Sequence, residues 1–162
     1  GLEIELAQKG NWEKTLSNVL DSLRDKYDYI FIDCPPSLGI LSVTGLVASD
    51  SVIIPIQCEY HALEGVSQLF QTIELVKKNH NPNLNIEGVV LSMFDGRTNL
   101  SIQVVDEVKA FFKDKVYVSI IPRNVRLAEA PSYGLSIMDY DDKSRGAEAY
   151  MELAEEFLFL QD

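Results

Sequence analysis

Four short stretches of the chain are almost continuously apolar: Tyr29–Asp33, Ser51–Ile56, Ile86–Phe94 and Val116–Ile121. They are rich in Ile and Val and lack a clean alternation, the pattern of strands buried on both faces of a parallel sheet. Between them, apolar positions recur at helical spacing. Over 62–78 the predicted inner face is Leu63, Val66, Phe70, Ile73 and Val76. Over 100–112 it is Val104, Val105, Val108, Phe111 and Phe112, and over 144–160 it is Ala147, Met151, Ala154 and Leu158. Asn11 reads as the N-cap of an opening helix that runs to about Lys26, and the Asn- and Pro-rich run 79–85 reads as a loop. Helices alternating with strands predict an α/β fold, an open parallel sheet with helices on both faces and right-handed crossovers. No repeat, low-complexity tract or linker interrupts it, so residues 1–162 read as one domain.

Composition changes this picture little, and charge changes it more. The chain is 46% hydrophobic and 24% charged, ordinary for a soluble globular protein. A net charge of −11 argues against a simple electrostatic binder of nucleic acid. The stretch 97–126 runs the other way. Arg97, Lys109, Lys113, Lys115, Arg123 and Arg126 face only Asp106, Glu107 and Asp114 there, leaving it +3 and the remainder −14. It reads either as a basic face or as solvated helix charge. Cys34 and Cys58 form no framework and read as reduced thiols, which points to the cytoplasm. No run approaches the roughly 18 apolar residues of a spanning helix, and the opening GLEIELAQKGNWEK lacks the apolar core of an export signal.

The polar residues collect where a parallel sheet binds its ligands, beyond the carboxyl ends of the strands. The four tips read Asp33-Cys34-Pro35-Pro36, Gln57-Cys58-Glu59-Tyr60, Asp95-Gly96-Arg97-Thr98-Asn99 and Pro122-Arg123-Asn124-Val125-Arg126. Arginines at two tips and a carboxylate at another suit an anionic ligand with a metal ion. Asp33 reads either as the cap of the next turn or as a Walker B acid that holds Mg²⁺. Pro35 and Pro36 favour the second reading, because they stiffen the backbone directly behind the carboxylate.

The stretches YDYIFIDCPPSLGIL, SDSVIIPIQCEYHALEGVSQL, NIEGVVLSMFDGRTNLSIQVVDEVKAFF and IPRNVRLAEAPSYGLSIMDYDDKSRGAEAYMELAEE closely resemble the ParA/Soj chromosome-partitioning ATPases. These belong to the MinD-like, deviant-Walker branch of the P-loop NTPase fold. The resemblance runs from about Asp28 to Glu156, and its last stretch is very specific. It implies that Asp33 is the Walker B acid and that Pro35 and Pro36 form a switch turn toward the dimer face. It also implies that Pro122 and Asn124 contact adenine, with Met93 and Asp95 beside them, and that Arg97 and Arg126 bind DNA without sequence preference. Arg123 is left as either an ion-pairing or a functional residue. The family's Gly-rich Walker A loop is not found: Lys9-Gly10 is followed by Asn-Trp, and no G-K-[ST] occurs.

The chain thus looks like the C-terminal two-thirds of such an ATPase, truncated on the N-terminal side and expected to be inactive alone. The parent activity it implies is ATP hydrolysis with Mg²⁺, in an ATP-dependent homodimer that coats DNA and answers to a centromere-binding, ParB-like partner. The parent is expected to be cytoplasmic and nucleoid-associated, without a membrane role. A MinD-like membrane ATPase is disfavoured by the tail AYMELAEEFLFLQD, which has four acids and no Lys or Arg. A non-catalytic interaction module of the same fold is the other alternative.

Overall fold

A computed structural model describes residues 4, 8, 10–35, 37–59 and 62–161, with only the backbone for 62–64. Short 3-10 turns, Trp12–Lys14 and Arg24–Lys26, flank helix α1 (Thr15–Leu20). Then follow α2 (Ile40–Ala48), β1 (Ser51–Gln57), α3 (Ala62–Asn79), β2 (Asn85–Phe94), α4 (Asn99–Phe112) and β3 (Val116–Pro122). The chain closes with α5 (Val125–Glu129), α6 (Ile137–Tyr140) and α7 (Arg145–Phe159). Two compact units divide these elements: residues 1–52 with 66–86, and residues 53–65 with 87–162.

In the first unit the organising element is α2, whose Ser42, Thr44 and residues 45–48 are buried. Its carboxyl end is closed by Asn81, whose side-chain amide donates to the carbonyls of Leu46, Val47 and Ser49 at 3.1, 3.3 and 2.7 Å. A residue far along the chain thereby satisfies carbonyls that a helix end leaves without partners. Arg24 donates two hydrogen bonds to the Asp50 carboxylate, at 3.1 and 2.9 Å.

Two expectations fail in this unit. Residues 27–35 form no strand: they run irregularly past α2, where Cys34 Sγ and Ile32 lie 2.8 and 3.6 Å from a Cβ placed on Gly45. Phe31 stays 74% exposed, so Asp33 does not end a buried strand. An apolar run becomes a strand only where a neighbour takes its backbone N–H and C=O groups, and its own side chains cannot report that neighbour. The opening helix is likewise broken. Asn11 is left-handed at φ 59° and makes no side-chain capping bond, and neither the two 3-10 turns nor α1 has a buried residue. Short helices with no face to bury are marginal on propensity alone.

The second unit holds the sheet, in the order β1-β2-β3. β2 and β3 run parallel, and backbone bonds from Asn85 to Asp50 and from Cys58 to Ser92 advance together, as parallel β1 and β2 require. On one face Val90, Tyr117, Ile121 and Ala149 are buried together, with Ile53, Leu127, Leu153 and Phe157 against them, so α7 covers that face. Alternation sends Val89 and Leu91 to the other face, where both are fully buried, and α4 buries Val104, Val108 and Phe112. Gly88 permits the fit on the first face, because a Cβ there would sit 2.3 Å from the Tyr117 ring.

Of the expected face of helix α7 only Ala147 is buried. Gly146, Ala147 and Ala149 are buried with Leu153 and Phe157 packed behind them, while Met151, Ala154 and Leu158 are exposed. Both stripes are apolar; the buried one combines Gly146, where a Cβ would sit 2.6 Å from the Leu127 side chain, with Leu153 and Phe157, which fill the space against the sheet. For α3 the expected face holds at Val66, Ile73 and Val76; the side chain of Leu63 lies outside the described residues. In α4, Phe111 is exposed and the rest of the expected face is buried or partly so.

The β2–β3 register is broken twice. From Val89↔Val116 to Leu91↔Ile120, β2 advances two residues and β3 four. The slack in β3 is filled by Glu156 of α7: its Oε1 accepts from Val118 N–H at 2.6 Å, and its Oε2 from Ser119 N–H and Oγ–H at 2.8 and 2.7 Å. β3 is an edge strand, and an acid set into a bulge blunts such an edge. Burial pushes the Glu156 carboxyl upward, but the three hydrogen bonds outweigh it and hold it below its ordinary 4.5.

Glu156→Ala should lower the unfolding free energy by about 1–2 kcal/mol in urea titrations, since three bonds of roughly 0.5–1.5 kcal/mol are partly replaced by water. Because the folded-state value is depressed, this stabilisation is complete above pH 4.5 and fades as pH falls below it, so the parent chain should lose more stability on acidification than the variant. Tyr117 carries the opposite kind of group. Its hydroxyl is buried with no hydrogen-bond partner among the described residues, and burial foremost pushes its pKa up to about 12. Tyr117→Phe should therefore raise the thermal midpoint, by an amount equivalent to roughly 0.5–1 kcal/mol.

Candidate functional site

Within the second unit the carboxyl tips of all three strands open onto one cavity of about 460 Å³. That lies within the roughly 300–1,000 Å³ of small-molecule sites. From β1 it receives Cys58 and Glu59, from β2 and the start of α4 Met93, Asp95, Thr98, Leu100 and Ser101, and from β3 Arg123.

Hydrogen bonds fix these tips to one another. Cys58 N–H donates to Ser92 O at 2.8 Å and Arg123 N–H to Phe94 O at 2.9 Å, so the chain leaves β1 and β3 tied to β2. Thr98 caps α4 by accepting from Ser101 N–H at 3.3 Å. Ser101 Oγ then donates to Cys58 O at 3.1 Å and accepts from Asp95 N–H at 3.4 Å, joining the helix start to two tips. The second register break, between Leu91 and Phe94, contains Met93 at φ 56°, a left-handed conformation uncommon for a non-glycine residue. This bulge re-aims the β2 tip and brings Met93 into the cavity wall.

The charges around the cavity are paired. Glu59 and Arg123 form an ion pair across the tips of β1 and β3, each about half-exposed. Asp95 accepts from Arg97 three times, from its backbone N–H at 3.1 Å and from Nε and Nη2 at 2.9 and 2.7 Å. The Arg97 side-chain bonds, first among the causes, hold the Asp95 carboxyl well below the usual carboxylate range. Burial pushes the Cys58 thiol up to about 11, so at neutral pH it is an apolar wall and not a nucleophile.

The arrangement suits a flat, partly apolar ligand with a hydrogen-bonding edge. Cys58, Met93 and Leu100 offer surface, and Thr98, Ser101 and the ion pair offer polar contacts. Both arginines near it are already compensated, so it is not built to neutralise a polyanion.

The expected site residues fall in several places. Met93 and Asp95 line the cavity. Pro122 ends β3 and Asn124 caps α5, its Oδ1 accepting from Arg126 N–H at 2.8 Å; the residue between them, Arg123, is the one that lines the wall. Arg97 is 88% exposed at its side chain and bound to Asp95, and Arg126 is bound to Glu129 at 2.9 Å and Asp141 at 3.3 Å. Asp33 and Pro35 are exposed in the first unit, and Pro36 lies outside the described residues. No group of three or more His, Cys, Asp or Glu side chains is placed to hold a metal among the described residues. Ser101 and Leu100 escaped the sequence reading; the Thr98 cap, which turns the first residues of α4 back toward the tips, was the available signal.

A sequence profile of the AAA domain family matches residues 1–86. The sporulation initiation inhibitor protein Soj of Bacillus subtilis (strain 168) is 59% identical over 156 residues, which are 96% of this chain and 62% of that protein. The chromosome partitioning protein ParA of Myxococcus xanthus is 54% identical over 158 residues, 98% of this chain and 56% of that protein. Cobyrinic acid a,c-diamide synthase from Mycobacterium smegmatis, solved with bound ADP and magnesium, superposes with a TM-score of 0.79 at 35% identity, over 98% of this chain and 57% of that one. The Pyrococcus furiosus cell division ATPase MinD gives 0.73 at 26% identity, over 91% of this chain and 59% of that one. The chain therefore spans less than two thirds of the length of the relatives it matches. Among the described residues, no helix is long and apolar enough to cross a membrane.

The Met93 bulge makes a testable demand on residue type. Met93→Ile places a β-branched side chain at positive φ and should destabilise the protein by about 1–2 kcal/mol, whereas Met93→Gly should be no less stable in urea titrations despite its lost side chain.

Proposed function

The chain belongs to the Soj/ParA family of chromosome-partitioning ATPases, built on an AAA domain, and on that premise we propose that it is the base-binding and DNA-facing part of a partition ATPase domain. The observation that carries this reading is the cavity at the three strand tips, which suits a nucleobase more than a phosphate chain. In the parent protein the site takes ATP with Mg²⁺. Pro122 packs on the adenine, Met93 and Asp95 border it, and the Asn124 side-chain amide donates to the base edge while its oxygen stays on the α5 cap. Asp33 would hold Mg²⁺ with its carboxylate. A single acid suffices there, because Mg²⁺ keeps several waters and takes its other ligands from phosphates. Bound Mg²⁺ would screen the phosphate charge during ATP hydrolysis. Pro35 and Pro36 relay the nucleotide state to a homodimer face.

DNA binding follows from Arg97 and Arg126, whose guanidinium groups would exchange their carboxylate partners for backbone phosphates. That exchange makes the affinity low per subunit and steeply dependent on dimerisation, because two subunits double the contacts on one surface. A centromere-binding, ParB-like protein would stimulate hydrolysis. Action is at the nucleoid in the cytoplasm.

The test uses the chain extended by its natural upstream sequence. Asn124→Ala should weaken binding of a fluorescent ATP analogue about tenfold, one charge-neutral hydrogen bond and its cap being lost. Arg97→Ala with Arg126→Ala should abolish ATP-dependent binding to arbitrary duplex DNA and leave dimerisation, read by light scattering, unchanged. Unaltered DNA binding by the double variant would remove these arginines from the interface, and unaltered nucleotide binding by Asn124→Ala would move the base elsewhere.

A further inference from the structure

The exposed stripe of α7 leaves a second open groove, of about 460 Å³, in the same unit. Its floor is Met138 and Met151, and its rim carries Asp142, Glu148, Glu152 and Glu155. Met151 is half-exposed, although sequence periodicity assigns it to a buried face. Glu148, Glu152 and Glu155 follow one another at four and three residues, a row of carboxylates about 10 Å long down the helix. Like charges at this spacing destabilise a helix. Glu148 lies in the first turn, where the helix dipole favours an acid, but among the described residues none of the four rim carboxylates forms an ion pair, and neither do Lys143 and Arg145, the nearest cations in sequence. Glu156 of the same helix, by contrast, has its structural task at the β3 bulge. Residues 137–162 hold eight acids against two basic residues, −6 of the chain's −11.

We propose that this groove docks a cationic amphipathic segment of a partner protein, its apolar side chains on the two methionines and its Lys or Arg side chains on the carboxylate row. Charge complementarity selects the occupant. The rim repels nucleic acid and anionic lipid, and a purely polar cation would leave the methionine floor unused. Methionine side chains adapt to the shape of what lies on them, as a surface for peptides requires. The groove is built from α6 and α7 and owes nothing to the strand-tip cavity, so it stands independently of the nucleotide reading.

A fluorescein-labelled synthetic peptide of about 12 residues, with Lys at helical spacing and Leu between, is titrated with the 162-residue chain and followed by anisotropy. Circular dichroism checks that each variant is folded. Glu148→Gln with Glu152→Gln should weaken binding at least tenfold. Asp25→Asn with Asp28→Asn, which changes the net charge equally at exposed positions of the other unit, should change it less than twofold. Met151→Ser alters no charge and should weaken binding several-fold, with the deficit persisting in high salt. Equal losses for the two charge-neutralised pairs, an indifferent Met151→Ser, or no binding of the peptide would each overturn the proposal.

Discussion

The pairing of β2 with β3 is the constraint on which the second unit depends. A parallel ladder of fixed register would carry each tip straight out, and here it is broken at both ends. Near the start of β3 the slack residues are gathered by Glu156, which fastens α7 to the sheet edge through three hydrogen bonds. Near the end of β2 the extra residue is Met93, held left-handed so that the strand turns into the cavity. One irregularity seats the covering helix, and the other shapes the site. Seating α7 on Gly146, Ala149, Leu153 and Phe157 also decides which of its two apolar stripes is left outside, and the methionine groove is the consequence.

Charge is distributed to match. The arginines that follow the tips of β2 and β3 are compensated by carboxylates from the same unit: Arg123 by Glu59, Arg97 by Asp95, Arg126 by Glu129 and Asp141. Pairs this exposed contribute little to stability, so they leave the cations available for exchange with another anion. The carboxylates of α7 have no such partners among the described residues. Cations that are provisionally paired and acids that are not give the unit two faces of different electrostatic character.

Much of this was legible in the chain. The continuous apolar runs at β1, β2 and β3 predicted the parallel sheet, because a strand covered on both faces has no polar side to alternate with. The polar clusters behind them located the cavity, since the carboxyl ends of parallel strands are where loops converge. Glu59, Asp95, Thr98 and Arg123 were visible there as residue types. The pattern overreached at Tyr29–Asp33, at Asn11 and on α7. In each case local sequence stated a preference that needed a partner to be realised.

What the sequence determined by itself is therefore whatever depends on near neighbours: the period of most elements, the polar character of the strand tips, the acidity of the tail, and the kinship with the Soj/ParA proteins. The tertiary structure alone decided what depends on distance. Asn81 closes a helix more than thirty residues earlier, Glu156 enters a strand on the far side of α5 and α6, and Gly88 admits the Tyr117 ring. These contacts join positions whose separation in the chain carries no signal, because hydrogen bonding and close packing act between surfaces that meet only after folding.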